Sequence, residues 1–213
     1  MALRRARGAQ GAPREHDDDL PRGVKILVAG GFGTGKTTLV SAISEIASFH
    51  TEENLTRSSI GIDDTTDLHR KSHTTVAMDF GRITLHERLS VFLFGTPGQD
   101  RFWFMWDELA AGALCAVVLA DTRRLDVSFA AIDYFERHGL PFVVAVNEFE
   151  GARVYPAETV RAALDLAPGV PLVSCDARHR PSVKQALIAA VTHALAVEEA
   201  AGGPLPLSAA SPR

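Results

Sequence analysis

A glycine-rich segment that ends in a lysine and two threonines offers the most specific chemistry in this sequence. Its residues are Gly30, Gly31, Phe32, Gly33, Thr34, Gly35, Lys36, Thr37 and Thr38. Glycines at this spacing let successive backbone N–H groups point inward at an anion beside a helix N-terminus. The lysine would reach the β- and γ-phosphates of a nucleotide, and the first threonine hydroxyl would ligate Mg²⁺. The spacing predicts a phosphate-binding loop, and the alternative is a glycine-rich turn without a ligand.

The elements around this loop decide between the two interpretations. An apolar run, 24–29, precedes the loop, and an amphipathic stretch, 37–48, follows it, which is the strand and helix that the motif requires. Further apolar runs predict strands at 75–80, 89–94, 114–120, 142–146 and 172–175. Helical patterns occupy 100–110, 127–138, 156–166 and 181–198. The alternation predicts an α/β fold of three layers with a six-stranded, mostly parallel sheet, in which 75–80 and 89–94 form an antiparallel hairpin.

Composition predicts one domain at 22–200. Of the 213 residues, 46% are hydrophobic, enough for one substantial core. Residues 1–21 and 201–213 carry no apolar period, so we expect disordered tails there. A formal net charge of −4 without a basic stripe argues against nucleic acid as a partner. The longest uncharged apolar run, 113–120, is too short to cross a bilayer, so direct membrane insertion is not expected. Cys115 and Cys175 lie in predicted strands, where buried free thiols are ordinary, and we expect a reducing cytoplasm.

With these motifs in place, the chain resembles the Ras-like small GTPases with their P-loop NTPase fold. It is more similar to the bacterial MglA-like branch, which includes the conservon-type GTPases of actinomycetes, over roughly residues 24–195. The resemblance implies a protein that binds GTP with Mg²⁺, slowly hydrolyses it to GDP and acts as a nucleotide-dependent switch in bacterial signalling. It also implies a roadblock/LC7-type regulatory protein and other operon-encoded signalling proteins as partners, with any membrane association made through them.

The second anchor of the resemblance is the segment 94–99, which follows a strand as the family's DxxGQ segment does. The resemblance assigns contact with the γ-phosphate to the Gly98 N–H and placement of the attacking water to Gln99, which together with Lys36 would form the catalytic set. A surface turn is the alternative for Thr-Pro-Gly taken alone. The family's Mg²⁺-linked Asp is replaced by Gly95, so the metal site must be built differently here.

The polar segment 51–74 matches the family's first switch loop, and we expect it to be mobile. Its end implies Thr75 as the switch threonine and a second Mg²⁺ ligand; the alternative is a threonine pair that simply begins a strand. Arg57 and Arg70 are candidates for an internal arginine finger or for solvated charges.

Base recognition is implied at two later loops. The strand 142–146 runs into Asn147, Glu148, Phe149 and Glu150, a partial match to Asn-Lys-x-Asp in which Glu150 would replace the Asp that pairs with guanine. The last nucleotide loop would be Ser174, Cys175, Asp176 and Ala177, with backbone N–H groups facing guanine O6.

Five large residues, 102–106, follow the catalytic segment. They cannot all face inward on one helix, so Trp103 and Trp106 are predicted to form part of a partner surface, with core packing as the alternative. Two functions compete with a slow GTPase. One is a nucleotide-binding module with little or no turnover, and the other is an ATP-using P-loop enzyme.

Overall fold

The protein is described here by a computed structural model that covers residues 22–47, 49–55, 74–98 and 100–202. Its elements alternate as the hydrophobic pattern predicts. The strands are β1 (Arg22–Ala29), β2 (Phe49–Leu55), β3 (Thr74–His86), β4 (Leu89–Gly95), β5 (Cys115–Ala120), β6 (Phe142–Asn147) and β7 (Leu172–Cys175). The helices are α1 (Lys36–Ile43), α2 (Trp106–Ala110), α3 (Asp126–His138), α4 (Ala157–Ala163) and α5 (Arg180–Ala201), and a 3₁₀ segment, Asp100–Met105, leads into α2.

One sheet in the order β2-β3-β4-β1-β5-β6-β7 forms the middle layer. Strand β3 runs antiparallel to both of its neighbours, and the other pairings are parallel. Strands β2, β3 and β4 lie on one side of β1, and β5, β6 and β7 lie on the other. The direction of the connections therefore changes at β1, and the carboxyl ends of β1 and β5 form the crevice where open α/β sheets bind ligands. The predicted fold class and the antiparallel hairpin are therefore confirmed.

The number of strands is corrected, since the sheet has seven strands within the described residues and six were predicted. The additional strand, β2, occupies 49–55, part of which was assigned to a mobile loop. Its sequence, FHTEENL, has no apolar run because β2 lies at the sheet edge, where an edge strand pairs on one side only and commonly carries charge. Residues 56–73, which hold the rest of the predicted switch loop, lie outside the described residues, as do 1–21 and 203–213.

Alternate strand residues pack into two cores, one on each face of the sheet. Ile26 and Val28 of β1 join α1 and α5, whereas Leu27 and Ala29 join α2, α3 and α4. All six residues of β5 are buried, which is why this strand reads as an unbroken apolar run. Strand β1, which leads into the phosphate-binding loop, is likewise covered on both faces.

Both cysteines belong to this interior. Burial raises the pKa of the Cys115 thiol to about 12 and that of Cys175 to about 11. At neutral pH they are protonated and act as small apolar side chains. Within the described residues, no helix is long and apolar enough to cross a membrane.

Candidate nucleotide site

The glycine-rich loop connects β1 to α1 and has the backbone that the motif requires. Gly30, Gly33 and Gly35 have φ values of 133°, 78° and 102°, which side chains strongly disfavour. A Cβ at Gly31 would stand 2.4 Å from Val127 Cβ on α3, so this glycine is required for space. The buried Thr34 hydroxyl donates to the Gly31 carbonyl at 2.9 Å and closes the loop on itself.

Lys36, the first residue of α1, arches back over the loop. Its Nζ donates to the Gly30 and Gly31 carbonyls, each at 2.8 Å. Burial lowers the pKa of this amine to about 8, and the Asp79 carboxylate acts in the opposite direction. A desolvated ammonium at the mouth of an inward-facing loop favours an anion beside it. Thr38 is exposed on the first turn of α1.

Asp79 on β3 is the principal functional residue that the sequence interpretation missed. Its buried carboxylate accepts a hydrogen bond from the Thr37 hydroxyl at 2.7 Å. A Cβ placed on Gly95 would stand 2.9 Å from Asp79 Cβ and 3.0 Å from Asp79 Oδ2. The carboxylate therefore occupies the space that a side chain at Gly95 would enter, on the neighbouring strand. An Asp inside a strand pattern, paired with a glycine on the next strand, was the available signal.

The Thr37–Asp79 pair has the donor chemistry that suits Mg²⁺. Mg²⁺ prefers oxygen ligands and is usually held by one or two protein oxygens, nucleotide phosphates and water. A hydroxyl and a carboxylate in contact beside Lys36 fit that requirement. Within the described residues no three His, Cys, Asp or Glu side chains cluster for a metal, so the phosphates would have to complete the set. The side chain of Thr75, the other predicted ligand, lies outside the described part, although its backbone belongs to β3.

Gly98 lies directly on the phosphate loop. A Cβ at this residue would come within 2.6 Å of Lys36 Nζ and 2.9 Å of the Phe32 backbone N. The segment after β4 thus reaches the place predicted for it, and it is tight enough that only glycine fits. Gln99, the predicted water-positioning residue, lies outside the described residues, as do Arg57 and Arg70.

Asn147, at the end of β6, joins the two halves of the site. Its Nδ2 donates to the Thr34 carbonyl at 2.9 Å, and its Oδ1 accepts from the Ala177 N–H at 3.0 Å. The side chain is buried and both ends of its amide are used. One residue therefore holds the phosphate loop against the loop that follows β7.

The two glutamates after Asn147 differ in their surroundings. Glu148 accepts a short hydrogen bond from the Ser174 hydroxyl, and its N–H donates to the Cys175 carbonyl at 2.8 Å, so it braces β6 against β7. Glu150 is exposed in the turn that follows. Its carboxylate is accordingly the freer of the two to meet a base.

The loop after β7 uses its backbone N–H groups internally. Asp176 N donates to the Ser182 hydroxyl, Ala177 N to Asn147, and Arg178 N to the Asp176 carboxylate. Cys175 is buried, and its backbone pairs with β6 in the sheet. The predicted loop is in place, but in this structure these N–H groups do not face outward to receive guanine O6.

Two arginines that were not predicted border the site. Arg124, after β5, donates from Nη2 to the Phe32 carbonyl at 2.9 Å, which places its guanidinium over the phosphate loop. Arg178, after β7, forms a two-point contact with Asp176, with Nε–Oδ1 and Nη2–Oδ2 distances of 2.9 Å each. This pairing lowers the pKa of Asp176 to about 2. Neither arginine lies in a recognisable motif, so only the spatial arrangement identifies them.

The aromatic segment is split between core and surface. Trp106 is buried and packs against Tyr134 and Phe135 of α3, with ring centroids 5.1 and 5.8 Å apart. Its assignment to a partner surface is therefore wrong, because the chain enters α2 at this residue and turns the indole inward. Phe104 is 66% exposed, whereas the side chain of Trp103 lies outside the described part.

Comparisons of the sequence with known proteins identify a family and a relative. Residues 28–197 match the family described as "Conserved hypothetical ATP binding protein". An uncharacterized protein of Methanocaldococcus jannaschii is 31% identical over 127 residues, which cover 59% of this chain and 70% of that protein. The family match runs from the end of β1 into α5 and includes the whole phosphate loop.

Solved structures with a similar fold include parts of the FeoB iron transporter. The G domain of T. maritima FeoB has a TM-score of 0.56 at 17% identity, covering 81% of this chain and 99% of that one. The cytosolic domain of the same protein in a GDP form has a TM-score of 0.57 at 17% identity, and this chain covers 64% of its length. The cytosolic domain of L. pneumophila FeoB has a TM-score of 0.54 at 18% identity, covering 78% of this chain and 70% of that one. At these identities the likeness establishes the G-domain fold.

Proposed function

The chain belongs to the family of conserved hypothetical ATP binding proteins, and from that premise we propose that it is a nucleotide-dependent switch that binds GTP and slowly hydrolyses it to GDP and phosphate. The phosphates would lie in the loop between β1 and α1, with Lys36 as their principal cation. The base would lie over the loops after β6 and β7.

The observation that carries the proposal is the double hydrogen bond of Asn147. It connects the Thr34 carbonyl in the phosphate loop to the Ala177 N–H in the last loop. A buried amide whose donor and acceptor are both used fixes the position of the two loops relative to each other. The two loops are the ones that would hold the triphosphate and the base of a single nucleotide.

A switching role rests on the position of Gly98. The glycine lies against Lys36 Nζ and the Phe32 N–H, the two groups that a γ-phosphate would contact. The γ-phosphate of GTP would compete with Gly98 for the space beside Lys36, whereas GDP, which has no γ-phosphate, would leave Gly98 where it is. The segment after β4 would then report which nucleotide is bound, and Gln99 would place the attacking water.

Mg²⁺ supports this scheme through residues already in contact. Thr37 and Asp79 would hold the ion, directly or through water, in place of the aspartate that Gly95 lacks. When bound, Mg²⁺ supplies positive charge to the β- and γ-phosphates. The Thr37 hydroxyl and the Asp79 carboxylate orient each other, so both are set before the ligand arrives.

ATP is the second candidate ligand. The description of the family names ATP, and the base-reading segment has Glu148 and Glu150 where guanine-specific proteins place Lys and Asp. A carboxylate at Glu150 would accept hydrogen bonds from guanine N1 and N2. Adenine has an acceptor at N1 and no N2 amine, so ATP would need a different pose, in which its N6 amine donates to Glu150. A binding module without useful turnover is also consistent with Gly95.

The biological setting is proposed from the resemblance alone. We place the chain in the MglA-like, conservon-type branch, acting in the cytoplasm with a roadblock/LC7-type regulatory protein. Membrane association would occur through other operon-encoded signalling proteins. Phe104, 66% exposed just after the proposed switch segment, is the residue of the described part best placed for such a contact.

Identification of the nucleotide that co-purifies with the protein tests the proposal most directly. Equilibrium binding of GTP, GDP and ATP should then show micromolar or tighter GTP binding that Lys36→Ala abolishes and that Thr37→Asn weakens only when Mg²⁺ is present. Unchanged affinity in both variants would remove the phosphate-loop assignment. Single-turnover hydrolysis with Gln99→Leu, which should bind GTP normally but turn it over more slowly, separates a switch from a passive binding module.

A further inference from the structure

The recognition of the base requires a donor that the backbone of the last loop does not supply. Guanine presents two acceptors, O6 and N7, along one edge, whereas adenine presents the N7 acceptor and the N6 amine donor. In this chain the N–H groups of Asp176, Ala177 and Arg178 all donate within the protein. A side chain must therefore read this edge of the base.

Arg178 is the side chain in position to do so. It follows Ala177, whose Cβ lies 3.5 Å from the Cβ position of Gly35 at the start of α1, so the last loop directly adjoins the phosphate loop. Two of its five guanidinium N–H donors are used by Asp176, through Nε and Nη2. Among contacts of the described residues, three donors are left, and the side chain is 56% exposed.

The surrounding charges hold this guanidinium in place. Asp176 fixes the orientation of the guanidinium at two points, and the Asp176 side chain is only 15% exposed. The hydrogen bonds to Asp176 raise the pKa of Arg178, and the charges of Glu150 and Glu148 in the loop after β6 add to this effect. The guanidinium is therefore held by Asp176 in the last loop, within the field of two carboxylates of the other loop that flanks the proposed base position, and it is oriented before a ligand arrives. A preoriented donor loses little rotamer freedom on binding.

We propose that Arg178 is a specificity-determining residue, whose free guanidinium N–H groups donate to O6 and N7 of a guanine base. This inference rests on the proposed function, since it assigns one group of the same nucleotide. The pairing is bidentate, the most specific contact that arginine makes with guanine. Against adenine, the same donors meet the N6 amine, which also donates, so ATP is disfavoured. Arg178 also supplies the cation that the reversed charge at Glu148 removes from the usual motif.

A competition assay with four triphosphates tests this assignment. GTP, ITP, 7-deaza-GTP and ATP would each displace a fluorescent guanine nucleotide from wild type and from Arg178→Ala. ITP keeps O6 and N7 but lacks the N2 amine, and 7-deaza-GTP lacks N7. For wild type we expect GTP and ITP to bind at least about ten-fold more tightly than ATP, and 7-deaza-GTP to be weaker than GTP. In Arg178→Ala, GTP and ITP should lose about ten-fold, ATP less than about three-fold, and the 7-deaza penalty should vanish.

Arg137→Ala is the control, because Arg137 is an exposed arginine in the last turn of α3 whose Nε donates to the Asp133 carbonyl at 3.0 Å. It should leave the order of the four nucleotides unchanged. If Arg178→Ala loses the native circular dichroism spectrum, Arg178→Lys decides, since a single ammonium should keep part of the O6 contact but not the N7 dependence. Equal losses for GTP and ATP, the same change of order in Arg137→Ala, or a wild type that prefers ATP would each overturn the inference while nucleotide binding stands. A wild type that binds none of the four would overturn the proposed function itself.

Discussion

Replacing Gly95 by Ala should destabilise the protein, because Asp79 occupies the space beside it. The new methyl group would lie 2.9 Å from Asp79 Cβ and 3.0 Å from Asp79 Oδ2, well inside the usual contact distance, so it would meet the stem of that side chain as well as its carboxylate. Overpacking of this kind costs about 1–3 kcal/mol. For a domain of this size, that corresponds to a decrease in Tm of about 2–12 °C.

Thermal and urea denaturation of the nucleotide-free protein, followed by circular dichroism, would measure the loss. Gly169→Ala is the matched control, since a Cβ there meets no atom within 4 Å, and it should change the free energy of unfolding by less than about 0.5 kcal/mol. Gly95→Asp should be worse than Gly95→Ala because it also brings a second carboxylate against the first. Combining Gly95→Asp with Asp79→Gly moves the carboxylate across to β4, and it should recover most of the loss.

The result that would refute this reasoning is equal stability of Gly95→Ala and Gly169→Ala. It would mean that Asp79 does not fill the space beside Gly95, and the proposed replacement of the missing aspartate would lose its structural basis. Additive changes in the free energy of unfolding for Gly95→Asp and Asp79→Gly would also refute it, because residues in contact normally show a coupling of about 0.5–3 kcal/mol. The dependence of nucleotide affinity on Mg²⁺ should be retained in the exchanged double variant and lost in Asp79→Gly alone.

Three further predictions concern the amine, the aromatics and the thiols. Since the native Lys36 amine releases its proton near pH 8 and the unfolded one near 10.5, wild type should gain stability relative to Lys36→Met as pH rises from 8 to 10, and denaturation curves at both pH values would test the sign. Trp106→Ala should lower the free energy of unfolding by about 3–5 kcal/mol, whereas Phe104→Ala should leave it within about 0.5 kcal/mol, in urea titrations of both. Because burial keeps the Cys115 and Cys175 thiols protonated, neither should react with a thiol reagent at pH 8 until denaturant is added, and rapid labelling of the native protein would contradict their placement.

Local patterns were sufficient for most of the fold. The apolar runs located six of the seven strands, because strands covered on both faces must be continuously hydrophobic. The strand that was not predicted, β2, is polar and lies at the edge of the sheet. It is held by backbone hydrogen bonds to β3, which leave no apolar pattern in the sequence. The boundary of the aromatic segment was also beyond pattern alone, since a 3₁₀ segment precedes α2 and changes which way Trp106 faces.

The sequence by itself determined the phosphate loop, because Gly30 to Thr37 are contiguous and their chemistry follows from backbone conformation and short-range spacing. It also determined that Gly98 and Asn147 would stand at the carboxyl ends of their strands, where a parallel sheet gathers its ligand-binding residues. Only the tertiary structure decided that Asp79 fills the place beside Gly95, that Glu148 and Glu150 act electrostatically on Arg178, and that Trp106 is in the core. These relations join residues from different strands and loops, and their distances depend on register and on the packing of layers, which no local pattern encodes.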